Sequence, residues 1–299
     1  MAGASQSPGI PYSRRIVLVT GRTAPRTALS LGSKEDGLDL GLEGKVALVT
    51  AASKGLGRAI ATELAREGAS VVISSRDEEA LARTAAEIRE ETNADVDLRA
   101  ADLTNAEEIG ALISHAVDRF GGIDVLVNNT GGPPAGTFED LDDGEWQGAF
   151  DQILLSLIRC VRGVLPSMRE RGGGRIVNVA SSSIKQPIEN LTLSNTFRAG
   201  LAGLAKNLSL ELAPDGILVN TLGPGRISTA RSESMDTSQA ESRGVPVEEV
   251  RGEFEARIPL GRYGTPEEFA RTAAFLASPA NSYVTGQAIL VDGGMVRAL

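Results

Sequence analysis

The chain carries one cysteine, one histidine and one tryptophan in 299 residues, and aromatic residues make up only 4% of it. Cys160 has no partner for an internal disulfide and falls in a mostly apolar helical stretch, so it reads as a buried spectator thiol in a reducing compartment. His115 is too isolated for a zinc site and has no Ser or Cys partner nearby in sequence, so no metal is expected. No apolar run approaches the ~20 residues that cross a bilayer, which argues against a membrane protein. Basic clusters are missing too. With 30 Lys and Arg against 39 Asp and Glu the net charge is -9, so no nucleic-acid partner is expected. These absences leave a soluble, cytoplasmic protein as the expectation.

Residues 1–41 stand apart, being rich in Gly, Ser, Pro and Arg with no acid before Glu35. The Ser13-Arg14-Arg15 triplet precedes only a short apolar run, Ile16 to Val19, too brief for a secretory core. The reading adopted is a disordered extension, with an organelle leader as the other reading.

Residues 45–76, KVALVTAASKGLGRAIATELAREGASVVISSR, read as strand, glycine-bearing turn, helix and second strand, half of a dinucleotide-binding unit. Val46 to Val49 is an unbroken apolar run, as in a parallel strand buried on both faces. Thr50, Ser53, Lys54, Gly55, Leu56 and Gly57 form the turn and are its candidate cofactor contacts. The two glycines remove side chains where a pyrophosphate must approach backbone N–H groups at the helix start. Ala51 stands where the usual pattern has its first glycine, which a methyl permits provided the turn is not left-handed there.

Further strands are expected at residues 70–74, 96–100, 123–128, 175–179, 217–222 and 288–291, alternating with helices at 78–91, 106–120, 146–168 and 195–212. Alternation throughout implies one α/β domain over 42–299, a Rossmann-like doubly wound parallel sheet of about seven strands. The long stretch 146–168 shows apolar residues on more than one face, suited to packing against the sheet and a second subunit. Residues 228–257 are polar, lack a strand pattern and follow a strand's carboxyl end, which makes them a candidate substrate lid.

Several ordered motifs lie at consistent spacing: TAASKGLG at 50–57, Asp102-Leu103, NNTG at 128–131, IVNVASS at 176–182, Pro224-Gly225 with Thr229 beyond, and VDGGM at 291–295. In these the chain resembles the short-chain dehydrogenase/reductase family, in the branch of the 3-oxoacyl-carrier-protein reductases. The likeness runs over about residues 42–299. It implies that Asp102, followed by Leu103, contacts the adenine, that Asn129 and Gly131 support the strand end beside the cofactor, and that Pro224, Gly225 and Ile227 border the nicotinamide. It also implies a homotetramer or homodimer formed through helices around Cys160 and Leu204.

Charge argues the cofactor choice. A 2′-phosphate calls for cations, whereas a free ribose diol calls for a carboxylate at the end of the second strand. That place holds Ser75-Arg76, with no acid before Asp77, and Lys54 supplies a second cation. NADP(H) is therefore expected.

In the family a Ser, a Tyr thirteen residues on and a Lys four further make the reaction. Here Ser181 fills the first place, but the same count reaches Ser194 and then Arg198, and a helix-borne Asn is replaced by Ile153. An aliphatic hydroxyl is a far weaker acid than a phenol, so Ser194 does not inherit the tyrosine's role. Arg198 stays protonated and can stabilise an alkoxide or clamp a carboxylate or phosphate. Ser181, Ser194 and Arg198 are thus the candidate catalytic cluster for a small-molecule carbonyl or alcohol. The bland alternative is that Ser194 and Arg198 begin a helix, with Ser194 as its N-cap. At the level of function, the alternatives are an NADP(H)-binding sensor or regulator without redox turnover, and non-redox chemistry such as dehydration.

Overall fold

The computed structural model describes residues 39–298. The expected extension lies outside them except at its end, where packing starts earlier than the expected boundary: Leu40 and Leu42 are both buried, and the Ala280 N–H donates to the Leu40 carbonyl at 3.3 Å. Two apolar side chains two residues apart seat the chain against the body before residue 42.

Seven strands form one parallel sheet: β1 (Val46–Val49), β2 (Ser70–Ile73), β3 (Val96–Leu98), β4 (Val125–Asn128), β5 (Gly174–Val179), β6 (Ile217–Pro224) and β7 (Ala288–Val291). Their order is β3-β2-β1-β4-β5-β6-β7. The order reverses between β1 and β4, so the cleft above their carboxyl ends is where such a sheet takes ligands.

Each apolar strand divides its side chains between two cores, because successive residues point to opposite faces. Ala47 and Val49 join Ile60 and Leu64 of α1 (Gly55–Arg66), Leu81 of α2 (Glu78–Thr92) and Phe269 on one face. Leu48 joins Leu112 of α3 (Ala106–Phe120) and Leu157 on the other. Cys160 faces this second core, and burial pushes its thiol up to about 12, which makes it unreactive.

The stretch expected as one helix over 146–168 is α4 (Asp143–Phe150), a wide π turn at Asp151–Leu155 and α5 (Ser156–Glu170). Buried Ile153 sits in that turn. The next helix, α6 (Thr192–Glu211), starts three residues before its expected position. Residues 228–257 fold into α7 (Ala230–Arg243) and α8 (Val247–Arg257), and α9 (Pro266–Ala277) then packs along α1. Asp236 of α7 is buried, accepting from Arg226 Nη1 and from the Tyr263 hydroxyl, each at 2.9 Å, and Arg226 lies 3.5 Å over the Phe254 ring of α8. The two helices are therefore anchored to the loop after β6.

Candidate active site

The β1 and β4 ends are stitched by side chains. The Thr50 hydroxyl donates to the Asn129 carbonyl at 2.7 Å and accepts from the Asn129 N–H at 2.9 Å, while Asn129 Nδ2 donates to the Ala51 carbonyl at 3.1 Å. Held this way, Ala51 adopts φ +47°, a left-handed conformation, contrary to the expectation from its methyl group. The stitching overrides the local preference of alanine. Gly57 explains how the helix comes so close: a Cβ there would lie 2.4 Å from the Ala51 carbonyl oxygen and 2.8 Å from Asn129 Nδ2. Gly55 takes φ +58°. Ser53 turns its carbonyl to the Thr84 hydroxyl at 2.9 Å, and Leu56 packs on the first core.

The first turn of α1 has no side-chain cap, since Lys54 stands at the N-cap without such a bond, and it contains no acid. The helices α2 and α9, by contrast, are capped by Asp77 and Thr265. Unmet N–H groups and the positive end of the helix dipole suit a diphosphate.

At the expected adenine end, Arg76 is exposed. Its neighbour Asp77 accepts from the Ala80 N–H at 2.9 Å to cap α2, so that carboxylate is engaged away from a ribose diol. Asp102 Oδ1 accepts from the Thr104 N–H and hydroxyl at 2.9 and 2.8 Å. These bonds, with a contribution from the Arg76 charge, hold its carboxyl below the usual range. Arg76 and Asp102 follow the carboxyl ends of β2 and β3, which are neighbours, and Leu103 packs on the second core.

The other end of the cleft is built on β5, β6 and α6. Ser181 follows β5, and its hydroxyl accepts from the Ser183 N–H at 3.1 Å. Its carbonyl lies where a Cβ on Gly223 would stand 2.7 Å away, so β6 runs tightly beside it. Gly225 donates to the Val291 carbonyl at 2.9 Å between Pro224 and buried Ile227, and Gly131 lies against the Gln152 amide of the π turn.

Arg198 is buried, with 6% of its surface exposed, and Nη1 donates to the Val179 carbonyl at 2.9 Å, two residues before Ser181. Ser194, also buried, stands one helical turn earlier on the same face. The structure so brings Arg198 to the Ser181 end of β5, with Ser194 beside it. The N-cap is Leu191, which has no capping side chain, so Ser194 is not the N-cap but the third residue of the helix, and Arg198 lies a turn further on. Burial, helped by the charge of Arg231, lowers the Arg198 guanidinium to about 10, which still leaves it charged at neutral pH.

Sequence reasoning missed Arg231 and Gly132. The Arg231 head lies against Gly132, where a Cβ would be 2.0 Å from Nη2. In sequence Arg231 is one charge in a polar segment, and nothing in the linear pattern links it to the loop after β4.

Residues 50–296 match the family described as enoyl-(acyl carrier protein) reductase. A putative ketoacyl reductase of Streptomyces coelicolor is 39% identical over 255 residues, 85% of this chain and 97% of the relative. Dehydrogenase/reductase SDR family member 4 of Oryctolagus cuniculus is 37% identical over 254 residues, covering 85% and 94%. The crystal structure of L-sorbose reductase from Gluconobacter frateurii, complexed with NADPH and L-sorbose, superposes with a TM-score of 0.84 at 33% identity, over 88% of this chain and 100% of that one. The chain belongs to the short-chain dehydrogenase/reductase family.

Proposed function

We propose that the chain is an NADP(H)-dependent oxidoreductase acting on a carbonyl or alcohol group of a small molecule, with Ser181, Ser194 and Arg198 as its catalytic cluster. The observation that carries the cofactor choice is the division of labour around Arg76: the helix α1 start is uncapped, and Asp77 is engaged as the cap of α2. That leaves Arg76 and Lys54 as the charges for a 2′-phosphate. The L-sorbose reductase that shares this fold binds NADPH, which supports the same reading.

Bound NADPH supplies hydride for a carbonyl carbon. The protein's part is to orient that carbonyl and to stabilise the alkoxide. Ser181 accepts from Ser183 N–H, so its own O–H remains to donate to the substrate oxygen. The buried positive charge of Arg198 favours the developing negative oxygen in a medium of low dielectric. Ser194 is too weak an acid to replace a phenol, so the proton comes from water or from an acidic group on the substrate. The half-buried Leu155, Ile158 and Leu165 of the α5 side and Leu204 of α6 support the reading of a homodimer or homotetramer formed through these helices.

Following NADPH absorbance against a panel of small carbonyl compounds tests this. Turnover should appear, and Arg198→Ala should lower kcat/KM by about 100-fold or more. Tight NADPH binding without consumption by any carbonyl would contradict the enzyme and favour a sensor.

A further inference from the structure

We propose that Arg198 and Arg231 together form a receptor for an anionic group, a carboxylate or phosphate, that the substrate carries near its reacting carbonyl. The inference rests on the oxidoreductase reading above and names its substrate class.

The first observation is an unmet charge. The partly buried arginines elsewhere have their partners: Arg226 pairs with Asp236 at 2.9 Å, and Arg171 grips Asp124 with two bonds of 2.8 Å. Arg175, which has no acid among the described residues, is bonded to the carbonyls of Gly174, Ser278 and Asn281. Arg198 is more deeply buried than these, yet among the described residues its guanidinium meets one carbonyl and no carboxylate. A guanidinium has five N–H donors, and a buried charge is retained only where something offsets its desolvation.

The second observation is a like charge brought close. Arg231 begins α7 and lays its head on Gly132, four residues beyond β4, while Arg198 reaches the end of β5. These two strands are direct neighbours, with Asn128 opposite Asn178, so the segments that hold the two heads leave the sheet's carboxyl edge side by side. Burial first, and then the like charge of Arg231, lowers the affinity of Arg198 for its proton. Gly132 is what lets Arg231 lie there, since any side chain would occupy its place. The Ser183 hydroxyl, four residues beyond Val179, is buried without a hydrogen-bond partner among the described residues. An anion entering from the exposed Arg231 side turns this repulsion into two attractions, with planar forks that match carboxylate or phosphate.

Two sources offer such an anion, the substrate and the cofactor's diphosphate. The substrate is favoured because the open start of α1 already provides for the diphosphate, and Arg198 lies at the Ser181 end of the cleft.

The test uses the full-length protein saturated with NADPH and titrated by calorimetry with malonate, then with dimethyl malonate as the uncharged counterpart. Malonate should bind, and the diester at least about tenfold more weakly. Arg231→Met, at an exposed position that folding tolerates, should weaken malonate by about tenfold while NADPH affinity stays within about twofold. Gly132→Ala should act in the same direction by displacing the Arg231 head. Malonate failing to bind, or binding equally to Arg231→Met, overturns the proposal. A loss of NADPH affinity in Arg231→Met, with no malonate bound to the parent, assigns the pair to the cofactor's diphosphate and overturns it too. If NADPH itself does not bind the parent protein, the oxidoreductase reading fails on its own, and malonate titrated into the nucleotide-free chain still decides the receptor by the same criteria.

Discussion

Counting from Ser181 reaches Ser194 and Arg198 without any structure, because the resemblance spaces the family's reacting groups along one chain segment. What counting does not reveal is the surroundings. Burial of Arg198, its single carbonyl contact and the approach of Arg231 arise from packing between segments far apart in sequence. Ala51 shows the same limit in reverse: its methyl argues against a left-handed turn, but tertiary bonds through Asn129 impose one. If the missing phenol is what sets this site apart, the double exchange Ser194→Tyr with Arg198→Lys should raise kcat for neutral ketones by ~10²-fold or more. A pH profile should then gain a limb from the new phenol. An unchanged rate would mean that proton delivery does not limit the reaction.

Among the elements, the strands and the first three helices followed from apolar periodicity, and α3 matches its expected bounds. The π turn and the helices α7, α8 and α9 did not. The π turn after α4 leaves the apolar spacing almost unaltered, so residues 146–168 read as one rod. The helices α7 and α8 present few apolar residues because their anchoring is polar: Asp236, Arg226 and Tyr263 replace an apolar stripe. Polar anchoring of another kind starts α9, where Thr265 and Glu268 cap each other and Arg262 grips Glu268. Thr265→Ala should cost about 1 kcal/mol in chemical denaturation. Those same bonds pull the Glu268 carboxyl down from 4.5 to about 2, led by the Arg262 hydrogen bond. A carboxyl depressed on folding contributes stability above its unfolded value and loses it as pH falls through the folded one. The thermal midpoint of Glu268→Gln should therefore fall less than that of the parent on acidification from about pH 5 to pH 2.

At the scale of the whole molecule, the carboxyl edge of the sheet holds the proposed site and the amino edge carries stability. Asp124 closes the amino edge: it is buried, accepts from the Val46 N–H at 2.9 Å, and takes both forks of Arg171 at 2.8 Å. Asp124→Ala leaves a backbone donor and a guanidinium unmet, and it should destabilise the protein by about 3–5 kcal/mol in urea titration without changing nucleotide preference. The opposite edge gathers the uncapped start of α1, Arg76, Asp102 and the Ser181–Arg198 end around the reversal of strand order. Everything proposed for the chain depends on a phosphorylated dinucleotide lying across that edge. Calorimetry of the purified chain with NADPH and with NADH, repeated on Arg76→Asp, measures this most directly. The account predicts that NADPH binds more tightly than NADH and that the exchange reverses the order; heat from neither nucleotide, or a preference for NADH in the parent chain, would contradict it.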